Sequence, residues 1–381
     1  MQCECSMKII LIANSEKIGG GNKSLISICK SLSGQGHVPL VLVPAEGRLS
    51  KELRNLQIKY RIIPTRFYDK PSAQIAWIFT KVMLLLAKER PNLIHANDVY
   101  CYKYFSLAAK LLNIPILCHF RHFIDAHIGK YLLDVPPTLS LFNSEYNLQR
   151  TLALTPTLLK KSRSMVLYNF FNEEEYYPYN GDASFRELFN INHDAFLMLV
   201  IGNINPGKGH LDLLSALEKL EQRGLFVTYP NLKFVIAGED VTNSGIENEM
   251  KEKIEKTKLA ERIIFTGFVA DTKAAYASAN AVLIPSIEEP FGRVAVEAVL
   301  ARKPIVARNN SGLSEILSPL KTPVLTTDDS IDSLARAIER GVTTKVPKSE
   351  LEHDAQTVAL RFSEENQFNR LMNSAYLPQA R

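Results

Sequence analysis

The chain alternates short, β-branched apolar runs with stretches of helical pattern along its whole length. Apolar runs this short fit strands buried on both faces, and the helical stretches between them fit crossover connections, so parallel sheets are expected. In the first half the strands are expected at Lys8–Ala13, Pro39–Val43, Lys59–Ile63, Leu93–His95, Ile114–Cys118, Leu139–Asn143 and Met165–Leu167. In the second half they are expected at Leu197–Gly202, Lys233–Ala237, Ile263–Thr266, Ala281–Ile284, Pro304–Ala307 and Val324–Leu325. Between the halves, the stretch from Asn169 to Gly181 is acidic, aromatic and broken by Pro and Gly, which marks a domain boundary. The expectation is an α/β protein with domains at 1–170 and 171–362.

Length agrees: 381 residues exceed one ordinary core and suit two domains of similar size. Apolar content of 46% and charged content of 22% are those of a globular protein. No apolar stretch is long enough to span a bilayer; Val82–Ala87, held between Lys81 and Lys88, reads as part of a buried helix. The first residues are short and polar and lack a signal-peptide design. Five cysteines form neither a disulfide framework nor paired metal spacing, and Cys3 and Cys5 read as a leader ahead of Met7. A reducing cytoplasm is the expected setting. The net charge of +5 suits phosphates or anionic headgroups, whereas the absence of a basic stripe interleaved with aromatics excludes a nucleic-acid partner. No internal repeat or low-complexity tract appears.

The chemistry concentrates around Ile284–Ala301. Glu289 and Glu297 stand with seven residues between them around Pro290-Phe291-Gly292, which opens a helix. Glu297 sits in an apolar run, where an unpartnered carboxylate would cost several kcal/mol to bury (order of magnitude ~2–7). The helix start at Phe291-Gly292 suits a phosphate. A diol for the carboxylate and a phosphate for the helix start together describe a nucleotide sugar. The competing reading is an amphipathic helix with Glu297 facing water. Two further loops follow strands and lead into helices: Gly19-Gly20-Gly21, and Asn203 to His210 with Lys208-Gly209. The first is neither a dinucleotide fingerprint nor a Walker loop.

These motifs resemble those of the retaining glycosyltransferases of family 4, which have the GT-B fold. The Glu-x7-Glu spacing of Glu289 and Glu297, Lys303-Pro-Ile-Val-Ala307 and Ser311-Gly-Leu-Ser-Glu-Ile316 fit the family's main block. The resemblance implies two Rossmann-like domains facing each other across a cleft, with a terminal helix within 363–381 completing the first domain. It implies that Gly19 and Gly20 contact the donor diphosphate and that Lys208 neutralises it. Asn203 stands where the family commonly has Arg, and Arg293 is the expected substitute charge. Glu289 would contact the transferred sugar and Glu297 the ribose, while Phe268 would hold the base and Phe291, Gly292 and Arg293 the phosphates. His122, with His119 and Arg121 behind it, would lie near the donor sugar; Glu289, Lys208, His122 and His119 are the expected catalytic set. Asn143-Ser144-Glu145 and Tyr168-Asn169 match further family positions, and His95-x-x-Asp98 resembles another.

The implied reaction moves a sugar from a nucleoside diphosphate donor, UDP being the commoner nucleotide, to a hydroxyl of a glycan or lipid-linked glycan, with retention. No Asp-x-Asp occurs, so no metal and no further cofactor are expected. Lys160-Lys161-Ser-Arg163 reads as a solvated loop or as a peripheral contact with the inner face of a membrane. A non-hydrolysing nucleotide-sugar epimerase and a non-catalytic nucleotide-sugar binder stay open as alternatives.

Overall fold

The computed structural model describes residues 6–64, 72–179, 185–241 and 243–379, so Cys3 and Cys5 lie outside the described residues. These residues fall into two compact units, one running up to Phe170 and resuming at Glu364, the other Phe171–Ser363.

In the first unit a parallel sheet contains β1 (Lys8–Ile12), β2 (Val38–Val43), β3 (Lys59–Ile62), β4 (Leu93–Ala96), β5 (Ile116–Phe120), β6 (Leu139–Phe142) and β7 (Arg163–Val166), ordered β3-β2-β1-β4-β5-β6-β7. β1 shows why its run is apolar without alternation. Ile9 and Leu11 pack into the core on one face, while Ile10 and Ile12 pack into the core on the other. Each face is covered by helices, as in a doubly wound sheet. The segment from Glu364 closes one face: Phe368, Leu371 and Tyr376 join Ile9, Leu11 and Cys29, and the Tyr376 hydroxyl lies 2.5 Å from His95 Nδ1.

The second unit repeats the plan. Its sheet contains β8 (Phe196–Ile201), β9 (Leu232–Ala237), β10 (Ile263–Gly267), β11 (Ala281–Ile284), β12 (Ile305–Ala307) and β13 (Val324–Leu325), ordered β10-β9-β8-β11-β12-β13. Met198, Val200, Phe234 and Ile236 pack on Leu213 and Leu217 of the helix His210–Gln222.

The two sheets are Rossmann-like, matching the expected fold class, and in each the strand order reverses beside the first strand. These switch points lie between β1 and β4 and between β8 and β11. Helices leave opposite faces there, so the carboxyl ends of those strands open a crevice that no helix fills. β5 departs from expectation by two residues. Pro115 has no N–H to give the ladder, although its carbonyl accepts from Ile94 at 2.9 Å, and the strand instead continues through His119 and Phe120.

Candidate functional site

In the second unit, the loop after β8 is pressed against the exit of β11. Gly209 has φ +67°, and a Cβ there would lie 2.0 Å from the Pro285 carbonyl oxygen, so only glycine fits. The Ile287 N–H donates to the Gly207 carbonyl at 2.9 Å, tying the two loops together. The ammonium of Lys208 pairs with the Glu289 carboxylate, and the Ser286 hydroxyl donates to the same Oε1 at 2.9 Å. From the other side, the Glu289 N–H donates to Ser311 Oγ at 2.9 Å and the Gly312 N–H donates to the Glu289 carbonyl at 3.0 Å. Three loops thus hold one ion pair. Asn203, Lys208, His210, Ser286, Glu289 and Val294 line a depression at the β8–β11 switch point.

The helix Arg293–Leu300 begins beside it, after Gly292 at φ +100°. Glu297 is 5% exposed. Its Oε2 accepts from the Tyr276 hydroxyl at 3.0 Å and its Oε1 lies 3.3 Å from Arg293 Nη2. Burial first, and then the nearby Glu297 charge, push the Tyr276 hydroxyl well above its ordinary pKa, so it stays a donor. The water-facing reading of Glu297 therefore fails. Arg293, the expected substitute for the charge absent at Asn203, pairs with Glu297, and its guanidinium lies 4.2 Å from the Phe171 ring centroid. The Phe291 side chain is buried between Phe171 and Phe362, so only its backbone is available to a ligand. Phe268 stands half-exposed after β10.

In the first unit, Gly19 and Gly20 are exposed where the helix Gly20–Gly34 begins. Beneath them runs a buried polar network. Asn97 Nδ2 donates to the Gly21 carbonyl at 3.0 Å, and Arg121 Nε donates to Asn97 Oδ1 at 3.0 Å. Arg121 Nη1 donates to Asn169 Oδ1 at 2.5 Å, an oxygen that also accepts from the Ser24 hydroxyl at 3.1 Å. Arg121 is thus the tie between the glycine loop, β4, β5 and the end of the unit.

His119 requires a correction. It lies inside β5, fully buried, with its ring stacked 5.5 Å from that of His95. Burial, then Arg121 and His95, depress its pKa well below the usual value, and the neutral ring has no route to a ligand from there. His95 is equally buried, its pKa pushed down to about 3 by burial and then by Arg121. His122 differs: its side chain is 60% exposed, and its Nδ1 lies 2.5 Å from Asp98 Oδ2. Asp98 is buried, and its other oxygen caps the helix Val99–Leu111 by accepting from the Tyr100 N–H at 2.9 Å.

Motif reading passed over His210. It is 3% exposed, lines the depression, and is held neutral with a pKa of about 4 by burial and then by Lys208. The signal was its place directly after Lys208-Gly209 at the start of a helix. Among the described residues, no group of three or more His, Cys, Asp and Glu is placed to hold a metal.

Comparison with known proteins follows the same division. Residues 18–163 match the family described as Glycosyltransferase Family 4, and residues 182–357 match that described as Glycosyl transferases group 1. The chain is 31% identical over 180 residues to an uncharacterized glycosyltransferase of Methanocaldococcus jannaschii, covering 46% of this chain and 44% of that protein. It is 30% identical over 199 residues to the lipopolysaccharide 1,2-N-acetylglucosaminetransferase of Salmonella typhimurium, covering 50% of this chain and 51% of that protein. The chain spans about half the length of the curated relatives it matches. Among solved structures it is similar to the Anabaena protein HepE in complex with UDP and glucose, with a TM-score of 0.82 and 23% identity over 97% of this chain and 99% of that one. The sucrose-phosphate synthase of Thermosynechococcus elongatus shares the fold with a TM-score of 0.78 and 18% identity, over 98% of each chain.

Proposed function

Because the chain belongs to glycosyltransferase family 4 in both of its units, we propose that it transfers a sugar from a nucleoside diphosphate donor to a hydroxyl of a glycan or lipid-linked glycan, with retained anomeric configuration and without a metal. The observation that carries this reading is the Lys208–Glu289 pair, held by three loops at the switch point of the second sheet. Donor binding exchanges the partners of that pair. The diphosphate takes Lys208, and hydroxyls of the sugar take Glu289. The ribose diol donates to Glu297 in place of Tyr276 or Arg293.

The anomeric C–O bond to the diphosphate breaks with its electron pair leaving on phosphate, while the bond to the acceptor oxygen forms on the same face. The acceptor proton passes to the departing phosphate oxygen. Lys208 and the helix start at Gly292 stabilise the negative charge, positioned before the reaction begins. Glu289 offsets the positive charge at the anomeric carbon. UDP is the nucleotide proposed, supported by the UDP bound to HepE.

A thermal-shift panel of nucleoside diphosphate sugars tests the donor class, since a matched donor stabilises the folded chain by mass action. Silence across the panel would end the reading. Product anomers resolved by NMR test retention, and full turnover in chelator tests metal independence. A second reading has one specific support: Asn203, which lines the depression beside Lys208, is neutral where the family commonly has Arg. Tight donor binding without turnover on any acceptor would mark the chain as a nucleotide-sugar binder.

A further inference from the structure

The helix Ser72–Glu89 buries one face and exposes another that is almost as apolar. Ile78, Val82 and Leu86 pack into the first unit's core. On the opposite side Trp77 and Leu84 are exposed, by 55% and 66%. The neighbouring helix Val99–Leu111 also exposes two leucines, Leu107 and Leu111. A helix that is apolar all round normally lies inside a protein. No described residue covers this one.

Charge identifies what would. Lys81, Lys88 and Lys110 are exposed on the same two helices, and Lys81 Nζ lies 3.6 Å from the centroid of the Trp77 ring. The only acids from residue 72 to 111 are Glu89 and Asp98. Glu89 is paired with Lys8 at 2.9 Å, and Asp98 is buried as a helix cap. Among the described residues of these two helices, the exposed surface is therefore apolar and basic, with no exposed acid.

We propose that this face seats the chain on an anionic bilayer surface. Trp77 sits at the headgroup level, where an indole keeps one edge wet, and Leu84 enters the acyl boundary. The lysines extend along the surface to lipid phosphates. This surface is distinct from Lys160–Arg163, which the sequence left open as a solvated loop or a membrane contact, and it is independent of sugar transfer. A second copy of the chain fits poorly, because a two-fold interface would set these lysines against their own equivalents with no acid between them.

Trp77 is the chain's single tryptophan and so reports on this face alone. The full chain should co-sediment with phosphatidylcholine vesicles containing phosphatidylglycerol, but not with phosphatidylcholine alone, and Trp77 emission should shift to the blue on binding. Lys81→Glu with Lys88→Glu should lower vesicle partitioning on the order of tenfold or more. Leu84→Gln should lower it without changing the thermal-shift response to donor. Equal partitioning onto neutral and anionic vesicles, no partitioning, or a blue shift that tracks protein concentration without vesicles would each overturn the proposal. A chain that binds vesicles but no nucleoside diphosphate sugar would overturn only the transfer reading.

Discussion

The glycine-rich loops that follow β1 and β8 hold the same place in their sheets, yet they are built in opposite ways. After β8 the backbone itself is locked: Gly209 is left-handed and a Cβ would strike the Pro285 carbonyl at 2.0 Å. After β1 the chain is open, and a Cβ on Gly19 would meet nothing within 4 Å. The first loop takes its order from side chains below it, Asn97 and Arg121, rather than from its own conformation. Charge follows the same contrast. The second unit holds its ion pair at the loop, whereas the first buries neutral imidazoles on its inner strands β4 and β5 and exposes His122 after β5. A locked loop can hold a charge ready for a ligand; an open one has to be ordered by what binds it.

Gly209→Ala attacks the locked loop and should have the largest effect. A left-handed alanine costs about 1–2 kcal/mol before the overlap with Pro285 is counted. The loop must move, so turnover should fall on the order of a hundredfold and the melting temperature by several degrees; unchanged melting would mean the backbone is not locked. Lys208→Ala comes next, with turnover falling on the order of a hundredfold, donor affinity falling less and no comparable loss of melting temperature. A pure KM effect would remove Lys208 from the chemistry.

Acid sharpens the contrast between the units. His95, His119 and His210 have folded pKa values below the ordinary 6.5, so the unfolded chain takes up their protons first as pH falls. The stability they carry is full above pH 6.5 and is lost below it, at about 1.4 kcal/mol per pH unit per group until each folded pKa is reached. Two of the three lie in the first unit. Protection factors, with the intrinsic pH dependence of amide exchange removed, should therefore fall more there than in the second unit between pH 7 and pH 5, and an equal fall would contradict the burial assigned to the pair. Gly19→Ala should do least, within about 0.5 kcal/mol of stability, as measured by denaturant melts.

Strand positions were legible because parallel strands buried on both faces leave continuous apolar runs, as Ile9 to Ile12 show. The end of β5 was not, because a histidine reads as polar while a buried neutral one packs like a core residue, as His119 does on His95. Lys208, Glu289 and Glu297 were legible as a spaced motif. Their partners were not: Arg293 turning to Glu297, Tyr276 donating from 21 positions away, and Asp98 reaching His122 across 24 are contacts that sequence distance conceals. The exposed face around Trp77 was hidden for the opposite reason, since an apolar helix gives no sign in sequence of which side stays uncovered.

The central claim is that the donor diphosphate takes Lys208 from Glu289. Calorimetric titration of UDP into Glu289→Gln tests it most directly, because UDP carries no transferable sugar to miss the Glu289 carboxylate. With the pair abolished, Lys208 no longer has to leave a partner. UDP should bind as tightly as to the unaltered chain, or up to about tenfold more tightly, while turnover of the sugar donor collapses. A tenfold loss of UDP affinity in that variant would contradict the exchange.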